Sequence, residues 1–80
     1  MTENAGTDTL TLYRYGCLER PPAPGAIPRD GMYRCASTEC YDNVGRRCWG
    51  WVEYTRPLKQ FEEMHFSLSY IRKTLTRKAY

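Results

Sequence analysis

The run Arg47-Cys48-Trp49-Gly50-Trp51-Val52-Glu53-Tyr54-Thr55-Arg56-Pro57 changes its structural period at the proline, which constrains the fold more than any other segment of the chain. Side chains on a strand alternate between faces, so Trp49, Trp51, Glu53 and Thr55 share one face and Cys48, Gly50, Val52 and Tyr54 the other. This predicts a central strand over 47–54 with one aromatic-rich face. Pro57 is tolerated in a first helical turn, and 59–65 then places Phe61, Met64 and His65 on one stripe, with Leu58 packing ahead of it. The pattern predicts a short helix on the sheet, with Phe61 and Met64 buried beneath it.

Upstream, Thr9-Leu10-Thr11-Leu12-Tyr13-Arg14-Tyr15 is rich in β-branched and aromatic residues and reads as a first strand. Leu10 and Leu12 share one of its faces, and Thr11, Tyr13 and Tyr15 the other. The segment 19–31 contains Pro21, Pro22, Pro24 and Pro28, which fix φ and remove backbone donors, so it predicts a stiff loop. A second strand is expected over 32–36. Residues 37–46 form a polar connection in which Asp42, Asn43 and Gly45 favour turns. Alternation returns over 66–71, with Phe66, Leu68 and Tyr70 on one face. The resulting fold class is α+β, a three- to four-stranded antiparallel sheet with one short helix in the order β-β-β-α-β. Residues 1–8 are expected to be a disordered N-terminus, 9–73 a single domain and 74–80 a basic C-terminal tail.

A chain of 80 residues forms one domain, and at that size roughly 60% of the unfolded surface is buried, which disfavours a deep enclosed active site. Seven Tyr, two Trp and two Phe are many for this length, and such residues supply rigid contact surface. No apolar run approaches the roughly 20 residues of a membrane span, and 1–16 shows no basic start followed by an apolar stretch. The expectation is a soluble cytoplasmic protein of the bacterial host cell with no membrane partner. Residues 1–45 carry six acids and four bases, and 46–80 carry three acids and eight bases. The basic C-terminal half can face nucleic acid phosphates, an acidic protein surface or simply water.

Cys17, Cys35, Cys40 and Cys48 are spaced C-x17-C-x4-C-x7-C. A tetrahedral zinc site usually draws on two close knuckle pairs, and only Cys35 and Cys40 come near that spacing. With no export signal to favour disulfides, free thiols are expected, and neither metal nor cofactor. His65 is the single histidine and has no motif to orient a cysteine nucleophile. Glu62 and Glu63 are adjacent on a helix and diverge by about 100°, so they do not form a catalytic carboxylate pair. Glu62 is expected to cap the helix N-terminus instead. The glycines never cluster into a phosphate-cradling loop. No catalytic residue is assigned, and a non-enzymatic function is expected.

Tyr13-Arg14-Tyr15, the run Arg20-Pro21-Pro22-Ala23-Pro24-Gly25-Ala26-Ile27-Pro28 and the segment from Trp49 to Leu58 resemble uncharacterised short proteins encoded by bacterial phages and mobile elements. In those, a YR strand precedes a P-G-x-x-P loop, and a strand ending in Y-x-R-P-L leads into a short acidic helix. Cys35, Cys40 and the basic tail lie outside the pattern. The resemblance implies a mobile-element accessory protein and no particular chemistry.

In that setting the leading expectation is a binder of a host protein, an inhibitor that occludes a defence nuclease complex such as a CRISPR effector. Trp, Tyr and Arg dominate interface hot spots. The candidate partner-binding residues are Tyr13, Tyr15, Arg46, Arg47, Trp49, Trp51, Arg72 and Lys73. The alternative is a small nucleic-acid-binding protein in which Tyr13, Tyr15, Trp49 or Trp51 stack on bases and the basic residues meet phosphates.

Overall fold

A computed structural model describes residues 9–77. Strands β1 (Thr9–Cys17), β2 (Met32–Ala36), β5 (Gly50–Tyr54) and β6 (Leu68–Arg77) form one sheet in the order β2-β5-β1-β6, with every neighbouring pair antiparallel. Strands β3 (Cys40–Tyr41) and β4 (Arg47–Cys48) form a separate two-stranded hairpin, and helix α1 spans Gln60–Phe66. The architecture is the expected small α+β fold. Several boundaries differ from the sequence reading. The strand expected over 47–54 breaks at Trp49: β4 pairs with β3, whereas β5 pairs with β1 and β2. The Trp49 N–H bonds to the Cys17 carbonyl at 2.8 Å across the break. The final strand begins at Leu68 and continues to Arg77, because β1 is long enough to pair with it from Thr9 onward. Residues 74–77, expected in a tail, therefore belong to the sheet; residues 1–8 and 78–80 lie outside the described residues.

The core lies on the face carrying Tyr15, Cys17, Val52, Tyr54 and Leu68, and Ile27 and Leu58 close over it, with Tyr13 and Phe66 packed against it. Register explains the set. Tyr13 faces Tyr54, Tyr15 faces Val52 and Cys17 faces Gly50, so alternate residues of two strands supply one apolar layer. Burying each large side chain contributes about 1.5–3 kcal/mol. A Cβ at Gly50 would come within 2.5 Å of the Ala36 carbonyl oxygen and 2.6 Å of Pro22, so only glycine lets the proline loop and β2 approach β5 there.

The core is not roofed by the helix. Phe61 is 66% exposed, Met64 73%, and no residue of α1 is buried. The expected burial of Phe61 and Met64 is therefore wrong. The residues of α1 that are partly covered are Glu62, Glu63 and Phe66, not the Phe61, Met64 and His65 stripe. Two core tyrosines instead tether the covering segments: the Tyr54 hydroxyl donates to the Pro28 carbonyl at 2.7 Å, and the Leu58 N–H donates to the Tyr15 hydroxyl at 2.8 Å. Arg56 completes the roof. Its terminal nitrogens each donate to Glu62 at 2.9 Å, and its Nε reaches the Asp30 carbonyl at 3.0 Å. Tyr54, Arg56 and Leu58 are three of the four fixed positions of the Y-x-R-P-L segment, and each ties the sheet to the proline loop or to the segment that leads into the helix. Glu62 also accepts the Lys59 N–H at 2.9 Å, the expected N-terminal cap. The helix ends at Ser67 in a left-handed conformation (φ 54°), the one non-glycine residue with positive φ among the described residues.

Candidate partner-binding face

On the opposite face, register builds a row across all four strands. Arg34 of β2 lies opposite Glu53 of β5, Glu53 opposite Arg14 of β1, and Arg14 opposite Arg72 of β6. Two bulges bring the outer members into line. Tyr33 is an extra residue in β2 between the Met32 and Arg34 pairings, and Ile71 is an extra residue in β6 between Tyr70 and Arg72. Without the second bulge Arg72 would fall on the core face.

Glu53 is 1% exposed. Its Oε2 accepts Arg14 Nε at 2.8 Å and forms an ion pair with Arg14 Nη2 at 2.8 Å, and its Oε1 accepts Arg34 Nε at 2.5 Å. A buried carboxylate is tolerated only when such partners replace the lost water. The Arg14 guanidinium also lies 3.9 Å from the centroid of the Trp51 ring, a stacked cation–π contact. The hydrogen bond to Glu53 pushes the Arg34 guanidinium pKa up, so its charge is fixed. Exposure rises outward along the row: the Arg34 side chain is half exposed, and Arg72 is exposed. Among the described residues, no hydrogen bond links the terminal nitrogens of Arg34, or any atom of Arg72, to an acidic side chain.

The β3–β4 hairpin covers one end of this face. The ideal Cβ position of Gly16, which lies on the Arg14 side of β1, would collide with Cys48 Sγ, so glycine is required where the hairpin packs down. Asp42 anchors the hairpin. Its carboxylate accepts the Val44 N–H at 3.0 Å, the Arg46 N–H at 2.8 Å, Arg46 Nε at 2.7 Å and the Ser69 hydroxyl at 3.0 Å. Burial of Asp42 opposes ionisation, but these donors outweigh it and hold its pKa at about 2.

The candidate residues divide between the two faces and the hairpin. Tyr15 is a buried core residue and presents no ring to a partner, and Tyr13 is partly buried against the core. Lys73 lies opposite Tyr13, on the face away from Arg72. Arg46 is engaged with Asp42 and Ser69, and Arg47 pairs with Glu39 at 3.0 Å and lies 5.2 Å from the Trp49 ring. Trp49 is half exposed, whereas Trp51 is partly covered by Arg14. Trp51 and Arg72 therefore share the charged face, and Trp49 with Arg47 forms a second Trp–Arg stack beside the β4–β5 break. Sequence reasoning missed Arg14, Arg34 and Glu53 as a unit. The available signal was Glu53 itself, an acid in a central strand, which needs cations from both neighbouring strands.

The four cysteines are spread over the sheet and the hairpin. Cys35 lies in β2, and Cys40 lies opposite Cys48 in the hairpin. All four are free thiols, and no group of three or more His, Cys, Asp or Glu among the described residues is arranged to hold a metal ion. Burial and neighbouring thiols push Cys17 up to about 12, and burial with Cys40 alongside pushes Cys48 up to about 11. No helix among the described residues is long and apolar enough to cross a membrane.

The family described as Defence against restriction A C-terminal has a model that matches residues 10–73. The chain belongs to that family, which is associated with phages and mobile elements. This agrees with the setting implied by the resemblance of the YR strand, the proline loop and the Y-x-R-P-L segment. No curated protein and no solved structure matches the chain.

Proposed function

As a member of the defence-against-restriction A C-terminal family, this chain is, we propose, a non-enzymatic interaction protein that protects a phage or mobile element by occluding a surface of a host defence protein. The observation that carries the reading is the ordered row Arg34–Glu53–Arg14–Arg72. A buried carboxylate fixes two guanidinium groups, and a Trp ring supports one of them. Pre-ordered Arg and Trp side chains bind with little entropy left to lose, which is how small interfaces gain affinity. The family description makes a restriction enzyme the first partner to test, ahead of a CRISPR effector. The place of action on this reading is the bacterial cytoplasm.

A base-stacking nucleic-acid role is the weaker reading. Tyr15 is buried, Tyr13 packs on the core, and Arg14 covers Trp51, so three of the four candidate stacking rings are engaged within the protein. The test is co-purification with a restriction enzyme of the host, followed by DNA cleavage in the presence of increasing amounts of this protein. Inhibition that saturates near one chain per enzyme is expected. Inhibition by amounts far below the enzyme concentration would indicate catalysis and defeat the proposal.

A further inference from the structure

We infer that the Arg34–Arg72 face recognises carboxylates of an acidic protein surface, with Arg34 and Arg72 as two separate receptors and Glu53–Arg14 as the fixed spacer between them. The inference rests on the binder reading above and names the chemistry of its partner. Strand order sets the spacing. Arg34 and Arg72 lie on the outermost strands of the sheet, and their positions in the row are three strand spacings apart, or about 14 Å at roughly 4.8 Å per spacing.

Their chemistry sets the ligand. Arg34 donates its Nε to Glu53, its guanidinium carbon lies 5.8 Å from the Tyr33 ring centroid, and half of the side chain is exposed, with no hydrogen bond from its planar pair of terminal nitrogens among the described residues. That fork fits a carboxylate through two parallel hydrogen bonds. Arg72 is exposed and meets no acid among the described residues. Arg14, by contrast, spends Nε and Nη2 on Glu53 and its ring face on Trp51, so it holds the row rigid and binds little else.

The same features disfavour a nucleic-acid backbone. Duplex DNA presents a continuous line of phosphates, and its binders commonly engage about 6–10 of them. Here the free charges are two separated points with a carboxylate between them. Glu53 cancels the field in the middle of the row, where a phosphate track would need it to be most positive. Arg46 and Arg47 lie in the hairpin and pair with Asp42 and Glu39, which lowers the charge they could add to such a track.

Fluorescence anisotropy with a labelled glutamate-rich decapeptide and a labelled DNA duplex, on the full chain at near-physiological salt, tests this. Pull-down of a host restriction enzyme by the same variants runs in parallel. The peptide is expected to bind more tightly than the duplex. Arg34→Ala and Arg72→Ala are each expected to weaken the peptide about fivefold, in line with exposed charge pairs, and the double variant to lose it. Lys59→Ala is the control and should change nothing. Arg34→Lys should fail to restore the wild-type affinity, because an ammonium has no fork. Circular dichroism confirms that each variant is folded.

Duplex binding tighter than peptide binding and lost with the same arginines would overturn the inference. So would peptide binding indifferent to both arginines. A restriction enzyme retained equally by wild type and the double variant would overturn the inference while leaving the binder reading intact. Peptide binding lost in the double variant, with no host enzyme retained by either protein, would support the carboxylate site and overturn the binder reading.

Discussion

Replacing Glu53 by glutamine removes one negative charge from between two guanidinium groups and changes almost nothing in side-chain volume. Breaking a buried ion pair by deleting one partner costs about 3–5 kcal/mol, because the remaining charge is left without compensation. Here part of that cost is relieved. The Arg34 side chain is 52% exposed and can turn to water, whereas Arg14 is 19% exposed and held against Trp51. Discounting for that exposure, Glu53→Gln is expected to destabilise the domain by about 2–3 kcal/mol. For a domain of this size each kcal/mol lowers Tm by about 4–8 °C, so a fall of roughly 10–20 °C is expected. Thermal and urea melts followed by circular dichroism at neutral pH measure it directly. Arg20→Gln serves as the reference, since its 3.7 Å contact with Glu19 joins two largely exposed side chains and should shift stability by no more than about 0.5 kcal/mol. A Glu53→Gln protein that melts within two or three degrees of wild type would refute the view that this carboxylate organises the row.

Phe61→Ala and Met64→Ala should each change stability by less than about 0.5 kcal/mol in denaturant melts, because both side chains are largely exposed; a loss above about 2 kcal/mol would show that the helix stripe is core after all. Acid should destabilise the fold: hydrogen bonds from Arg56 and the Lys59 N–H hold Glu62 at about 2 against an ordinary 4.5, and Asp42 stands at about 2 against 3.8. Carboxylates with depressed native pKa values stabilise above the unfolded value, and that contribution fades as pH falls through the native one. Tm should therefore drop between pH 4.5 and about 2, and a flat profile over that window would contradict the assignment. Toward a thiol reagent at mildly alkaline pH, exposed Cys35 should react first, and buried Cys17 and Cys48 only after denaturant is added; equal rates at all four positions would argue against this packing.

Much of the fold was legible because the strands obey simple alternation. Tyr13 with Tyr15, Val52 with Tyr54 and Leu68 with Tyr70 share faces as period two assigns them, though alternation alone leaves open which face is the core, and the four prolines between 21 and 28 form the loop that composition demanded. The helix was legible in type but not in role. Its amphipathic stripe suggests a roof, whereas the roof comes from Ile27, Leu58 and two tyrosine hydroxyl bonds that bridge residues 26 and 43 positions apart. Separations of that length leave no trace in a local period. The charged row was illegible for a related reason. Arg14, Arg34, Glu53 and Arg72 meet only through register, and two bulges set that register for the outer pair. A one-residue slip reverses every face, so no window of sequence could assign Arg72 and Arg34 to the same side. Trp49 and Trp51 attracted attention as aromatics, yet what distinguishes them in the fold is the arginine stacked on each.

The proposed function depends on a stoichiometric protein contact made through the Arg34–Arg72 face. Its most direct test is a DNA-cleavage assay in which a purified host restriction enzyme is titrated with wild-type protein and with a folded Arg34→Ala/Arg72→Ala variant. Cleavage should fall to a plateau near equimolar wild-type protein and persist with the variant. Equal protection by both proteins, or protection that follows the DNA concentration and not the enzyme concentration, would contradict it.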